Sequence, residues 1–381
     1  MKVQDIRLLR LIRGPALAQA GVLVTLVIAA LFFRLAGRDW DMGLQLNVDD
    51  SFVSKTALKR VTWPPGTPLS SFFDPSASPL NPRANGDFYP YGTLPIYVAN
   101  GASNLMLLVT SDQDYAGIMG VQRMGRTMSG IFDTLTMLMV VGLGAHLWGR
   151  WPGLMAGALY AFAILPIQVS HFFISDSFMA AFMAATLLCA TIYYSSGRVW
   201  LVPLGGVCAG LALACKLSAA PMLALPLIAV ALRVWTKGLR TEDKGGTEIK
   251  DGTTKSEEHK TTHSSFVFRP LSIRQTLLLA VSAIAGTLAG FFPGDPYALL
   301  DSAPYLAQVG EQAAIQSGAI DEWFTRKYVG TWPLLHGLGQ LILLGVGPLV
   351  GIAGLLWLLW PRAIYGLWVL TTTAPGLRAK R

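Results

Sequence analysis

Asp49 and Asp50 stand side by side about fifteen residues beyond the first long apolar stretch, in a chain only 14% charged. A carboxylate held beside a hydroxyl can take its proton as the oxygen attacks an activated carbon. A helix cap or a metal site would also use such a pair. Asp176 follows His171-Phe172-Phe173-Ile174-Ser175 at the mouth of another apolar run. A carboxylate among apolar neighbours at a membrane helix start reads as functional, with an N-terminal cap as the alternative. His171 reads first as an interfacial histidine. Asp49, Asp176 and His171 form a possible divalent-metal set, although their spacing requires none.

The cations complement these acids. Arg123 and Arg126 lie three residues apart at the start of an apolar run, on one helix face. Guanidinium matches phosphate geometry, and snorkelling to lipid headgroups is the competing account. Lys216 sits between two apolar runs with no polar loop around it. A lysine there is costly unless it faces a cavity or an anion. Arg326 and Lys327 form a charged turn that can also meet phosphate. Together the residue types suit a site where a carboxylate activates an acceptor and cations hold a departing phosphate.

The elements that must position these residues are membrane helices. The chain has 381 residues, 52% hydrophobic, with mean hydropathy +0.47. Apolar runs near the span length of about 20 residues recur along it, and the alternation of a transmembrane barrel is absent. The fold class expected is an all-α polytopic membrane protein of about eight or nine transmembrane helices. Spans are read at 16–35, 118–147, 152–170, 174–195, 199–215, 217–235, 274–293 and 337–360, with a further run starting near Ala363. Lys2, Arg7, Arg10 and Arg13 precede the first run, which is long for a signal peptide. It is read as a retained helix with its N-terminus in the cytoplasm.

Segment 94–110 decides the topology. It is apolar but short, and it carries Pro95, Asn100 and Asn104. Counting it as a span would put Arg150, Arg198 and the basic stretch 233–274 outside, against the positive-inside tendency. As an interfacial helix it leaves these in the cytoplasm and puts Asp49, Asp176, Lys216 and loop 294–335 together on the outer face. Three regions follow. Residues 1–235 form a membrane core that includes the outer loop 36–117, and within that loop 47–60 reads as a short helix with the acid pair in its first turn. Residues 236–272 are a polar cytoplasmic linker. Residues 273–381 hold the C-terminal helices and the outer loop 294–335.

Net charge is +8. The basic residues flank apolar runs, so topology signals and anionic lipid explain them, and a nucleic-acid partner is not expected. Cys189, Cys208 and Cys215 lie in apolar segments with no zinc spacing and no disulfide framework. There is no Walker A loop, dinucleotide fingerprint or His-Glu-x-x-His motif, so soluble nucleotide chemistry is unsupported.

Several stretches together resemble a known family. They are Trp40-Asp41-x-Gly43 leading to Asp49-Asp50, Ser78-Pro79-Leu80-Asn81-Pro82, Tyr89-Pro90-Tyr91-Gly92-Thr93-Leu94-Pro95, Gly125-Arg126, Leu165-Pro166-Ile167-Gln168 through Asp176, Ala214-Cys215-Lys216, Pro296-Tyr297-Ala298-Leu299-Leu300-Asp301, and Thr325-Arg326-Lys327-Tyr328-Val329-Gly330-Thr331. The chain is similar, over nearly its whole length except the linker, to the GT-C membrane glycosyltransferases. Within these it resembles the dolichyl-phosphate-mannose–protein mannosyltransferase-like group of bacteria and archaea. The resemblance implies a GT-C helical bundle with a long first outer loop. It implies a multi-pass protein of the plasma membrane that moves a mannose-like sugar from a polyprenyl-phosphate donor to an acceptor hydroxyl, with inversion, at the extracytoplasmic face. The acceptor is a protein, a lipid or a glycan, and the bilayer is itself a partner. The family's Asp-Glu pair matches Asp49-Asp50, with Asp in second place and Asn47-Val48 where His-Pro is common. The family's arginine corresponds to Arg126 and its lysine to Lys216. In these terms Asp49 is the base, Asp50 orients the acceptor or the neighbouring loop, Asp176 binds sugar hydroxyls or the acceptor, Arg123, Arg126, Lys216, Arg326 and Lys327 meet the donor phosphate, and Tyr89, Tyr91, His171 and Tyr328 line the pocket. Members are usually longer, so the resemblance implies a C-terminally truncated chain. The competing expectations are a membrane transporter or lipid flippase, and an inactive relative.

Overall fold

A computed structural model describes residues 3–242, 272–326 and 329–356. Among these there are helices and turns and no strand. The first helix, α1 (Val3–Leu35), leads into the long first loop, which holds α2 (Val48–Arg60) and α3 (Leu94–Thr110). Then follow α4 (Ile118–Trp148), α5 (Arg150–Ala161), α6 (Ile164–Ser170), α7 (Ser175–Ser196), α8 (Leu201–Leu213) and α9 (Ala224–Glu242). Beyond the linker come α10 (Ile273–Gly294), α11 (Tyr297–Leu300), α12 (Ser302–Ser317) and α13 (Pro333–Gln340). The protein is an all-α polytopic membrane protein.

Among the described residues fewer helices pass as full spans than the sequence suggests. Among the described residues five helices are long and apolar enough to cross a bilayer, or six if α5 and α6 count as one broken span. The reasons are local. The expected span at 152–170 bends by 58° between α5 and α6. The expected span at 199–215 is a helix of only 13 residues, about 20 Å long at about 1.5 Å per residue. The expected span at 337–360 is interrupted by a π-helical turn, Leu341–Gly345, and by Gly347 at φ +85°. Its last residues and the run near Ala363 lie outside the described residues, as does most of the linker. Segment 94–110 is a 17-residue helix, short of a span, with Pro95, Ile96, Ala99, Asn100 and Ser103 on its buried side. Asn100 Nδ2 donates to the Ala57 carbonyl (3.0 Å), tying α3 to α2.

The break between α5 and α6 leaves the carbonyls at the end of α5 without a following helical turn, and an unmet polar group within a bilayer costs several kcal/mol. Arg34 meets these carbonyls. Its guanidinium donates to Ala161 O (3.1 Å) and Tyr160 O (3.4 Å) at the end of α5 and to Ala30 O of its own helix (3.3 Å), and pairs with Asp133 on α4. Tyr160 Oη donates to the other Asp133 oxygen at 2.7 Å. The arginine is fully buried, and this network locks α1, α4 and the bent helix together.

Helices α8 and α10 approach to backbone contact. A Cβ on Gly206 would lie 2.2 Å from Ala283 O, and one on Gly210 would lie 2.1 Å from Thr287 O. The reciprocal positions Gly286 and Gly290 would strike Pro203 O and Val207 O at 2.2 Å each. Small residues of this kind let membrane helices pack by dispersion where no hydrophobic drive exists. The register advances in the same sense on both helices, so they run parallel and their C-terminal ends, Lys216 and Asp295, reach the same end of the bundle.

Candidate functional site

The end of the bundle that gathers these residues is built from the first loop. Asn47 caps α2, its side-chain oxygen accepting from the Asp50 N–H at 2.9 Å. The acid pair therefore sits in the first turn, where the helix dipole favours negative charge. Successive helix residues are rotated by about 100°. Asp50 consequently turns inward and is fully buried, while Asp49 is exposed.

Asp50 meets Arg126 of α4, whose Nε donates to Asp50 Oδ2 at 2.8 Å. The same guanidinium grips Asp41 with two bonds of 2.9 and 2.8 Å and donates to the Arg38 carbonyl at 2.8 Å. It lies 5.5 Å from the centre of the Trp40 ring. The hydrogen bonds from Arg126 pull the Asp41 carboxyl down to about 2. Burial raises that of Asp50 in spite of the arginine. Arg126, 1% exposed, is a brace that joins α4, α2 and the segment after α1.

Asp49 faces a small cavity of about 40 Å³ together with Val53, Tyr91, Ile174, Ser175, Asp176 and Lys216. Asp176 is in the first turn of α7, whose N-cap is Ile174 without a capping side chain, so the carboxylate is not itself the cap. It points at Lys216, whose Nζ lies 3.2 and 3.4 Å from its two oxygens. Lys216 has extended backbone (φ −163°, ψ 134°) between α8 and the 3₁₀ turn Leu217–Leu223. That extension swings its side chain out of the helix line toward α7. The ammonium also lies 5.6 Å from the centre of the Tyr91 ring. Burial, then the charges of Asp49 and Asp176, push the Tyr91 phenol up to about 12, so it keeps its proton. Two backbone bonds bring Tyr91 here: Gly92 N–H donates to Cys215 O (3.1 Å) and Leu94 N–H to Ala214 O (3.2 Å). A Cβ on Gly92 would sit 2.0 Å from Ala214 O, so glycine is required for this approach.

The other residues singled out from the sequence lie elsewhere. Arg123 pairs with Asp39 (3.3 Å) at the surface, and Arg326 with Asp321 (2.7 Å), also exposed. Tyr89 is completely buried behind the cavity, 5.9 Å from the Phe52 and Tyr91 rings. Both ring nitrogens of His171 face carbonyls, those of Ile167 (2.7 Å) and Ala36 (2.8 Å). The set Asp49, Asp176 and His171 is thus not assembled around one point, and no cluster of three or more metal-ligating side chains occurs among the described residues. Lys327 and Tyr328 fall outside the described residues. Arg83, Asp295, Arg34 and Asp133 are missed by the sequence reading; of these Asp133, a lone acid within an apolar run, carries the clearest signal.

Residues 118–242 match the family model of the dolichyl-phosphate-mannose-protein mannosyltransferases. The match supports a GT-C mannosyltransferase-like family. It spans α4 through α9 and so includes Arg126, Asp176 and Lys216, whereas Asp49 and Tyr91 precede it. No curated protein matches the chain. The mannosyltransferase-type match and the membrane helices together support a membrane glycosyltransferase that uses a sugar donor and an acceptor.

Proposed function

We propose that this protein is an inverting glycosyltransferase that moves a mannose-like sugar from a polyprenyl-phosphate donor to an acceptor hydroxyl at the extracytoplasmic face of the plasma membrane. The observation that carries the reading is the convergence of Asp49, Asp176, Tyr91 and Lys216 on one cavity at the end of a membrane bundle. Asp49 is exposed and makes no ion pair among the described residues, so it is free to take the acceptor proton. For inversion the acceptor oxygen, giving its proton to Asp49, bonds to the anomeric carbon on the side opposite the phosphate that leaves. Lys216, across the cavity, supplies positive charge where the phosphate leaves. Asp176 holds the ammonium in place and, 41% exposed, presents a carboxylate to sugar hydroxyls. Arg126 and Asp50 fix the start of α2 and hence the aim of Asp49. Arg123, near the loop-side start of α4, is paired with Asp39 and meets a lipid phosphate only by leaving that carboxylate.

Replacing Asp49 by Asn keeps shape and removes the base. In membranes supplied with labelled polyprenyl-phosphate mannose, Asp49→Asn is expected to lower the transfer rate by about 10²–10⁴-fold. Full activity in that variant would refute the assignment of the base.

A further inference from the structure

Arg83 lies in the first loop, does not touch the cavity, and is 3% exposed. Its Nε donates to Tyr89 O at 3.0 Å and its Nη2 to Tyr91 O at 2.7 Å. Nη1 faces Asp295 Oδ1 at 3.6 Å, and the guanidinium lies 4.4 Å from the centre of the Tyr305 ring. Asp295 is fully buried at the end of α10 and accepts from Thr93 Oγ1 at 3.2 Å. Burying an ion pair is costly, and such a pair is weak evidence for stability. What this one accomplishes is geometric.

The peptide unit between Tyr91 and Gly92 is held at both ends. Its carbonyl accepts from Arg83, and its N–H donates to Cys215 O, one residue before Lys216. A peptide is planar, so fixing both groups fixes the plane and with it the position of the Tyr91 Cα, the point from which the side chain leaves. That side chain is the Tyr91 ring, which stands 5.6 Å from the Lys216 ammonium. A ring face at this distance attracts the cation and restricts where it points. We infer that Arg83 is a positioning residue of the cavity: through the 91–92 peptide it sets the Tyr91 ring against Lys216. The inference rests on reading that cavity as the transfer site.

Arg83→Lys keeps the charge opposite Asp295 but replaces the planar fork, whose Nε and Nη2 reach the two carbonyls separately, with one flexible nitrogen. In the full chain in native membranes, Arg83→Lys is expected to lower kcat/KM for transfer from labelled polyprenyl-phosphate mannose about tenfold, and less than about twofold when Tyr91 is already Ala. A residue that only stabilised the fold would cost the same in both backgrounds, and that result would overturn the inference. A second measurement needs no turnover. Tyr91→Cys, in a chain whose Cys189, Cys208 and Cys215 are Ala, should react several-fold faster with a membrane-impermeant thiol reagent when Arg83→Lys is added. Leu69→Cys, in the same loop, should react at an unchanged rate. An unaltered rate at position 91 would overturn the inference whatever the protein transfers. An altered rate in a protein that transfers from no polyprenyl-phosphate sugar would count against the function alone.

Discussion

Lys216 and Asp176 hold each other at 3.2 Å while remaining 27% and 41% exposed. An ion pair that open to water contributes about 0–1 kcal/mol to stability. Its value therefore lies in keeping a cation extended toward the cavity, ready for an anion stronger than one carboxylate. Lys216→Met is expected to lower kcat/KM about 10²–10³-fold while shifting the detergent melting temperature little, and Lys216→Arg should retain part of the activity. A large stability loss with normal kinetics in the Met variant would assign the lysine to the fold. The contrast with Arg126 shows what a sequence reveals at this scale. Lys216, Asp49 and Asp176 stand out because each is a charge with no visible local reason. Arg126 stands out equally, yet its partners Asp41 and Asp50 are 85 and 76 residues away. Nothing in local spacing tells a guanidinium that awaits phosphate from one enclosed by two carboxylates. The same kind of separation hides Arg83 and Asp295.

At the scale of elements, α8 and α10 place both ends of the site's frame. Their four facing glycines leave no room for a methyl group, since at each of them the nearest obstacle is a backbone carbonyl rather than a flexible side chain. Gly210→Val and Gly290→Val should each destabilise the protein by at least about 1–3 kcal/mol, seen as earlier unfolding in detergent. Activity should fall with them, because α8 leads to Lys216 and α10 to Asp295. Gly21 in α1 has open space around it. Gly21→Ala should be neutral or stabilising by up to about 1 kcal/mol, which separates close packing from a general intolerance of glycine replacement. Apolar runs announce most of these helices, and the acid pair in a first turn announces α2. They do not announce the break after α5 or the shortness of α8. Both depend on partners distant in sequence: Arg34 answering freed carbonyls, and glycine faces that become meaningful only when two helices meet.

The whole molecule separates its charges by end. One end gathers Asp41, Asp49, Asp50, Arg126, Asp176, Lys216 and Asp295. The other carries Arg150, beside Gln19 at 3.4 Å, Arg198, and Arg233, whose guanidinium caps the end of α7 by donating to Tyr193 O at 3.1 Å. This is the arrangement expected if segment 94–110 does not span, the alternative that the charge pattern favours. On that topology the positive-inside tendency would put the second end in the cytoplasm. Single cysteines at positions 49 and 216, in a chain whose Cys189, Cys208 and Cys215 are Ala, should both react with an impermeant reagent added to intact cells. Cysteines at 150 and 198 should react only after the membrane is opened. Reaction of 49 and 216 from opposite sides would break the site apart, since a base and a phosphate-holding cation separated by the bilayer cannot act on one bond. Reaction of both only after opening would keep the site whole and move it to the cytoplasmic face, where a nucleotide-linked donor would be within reach.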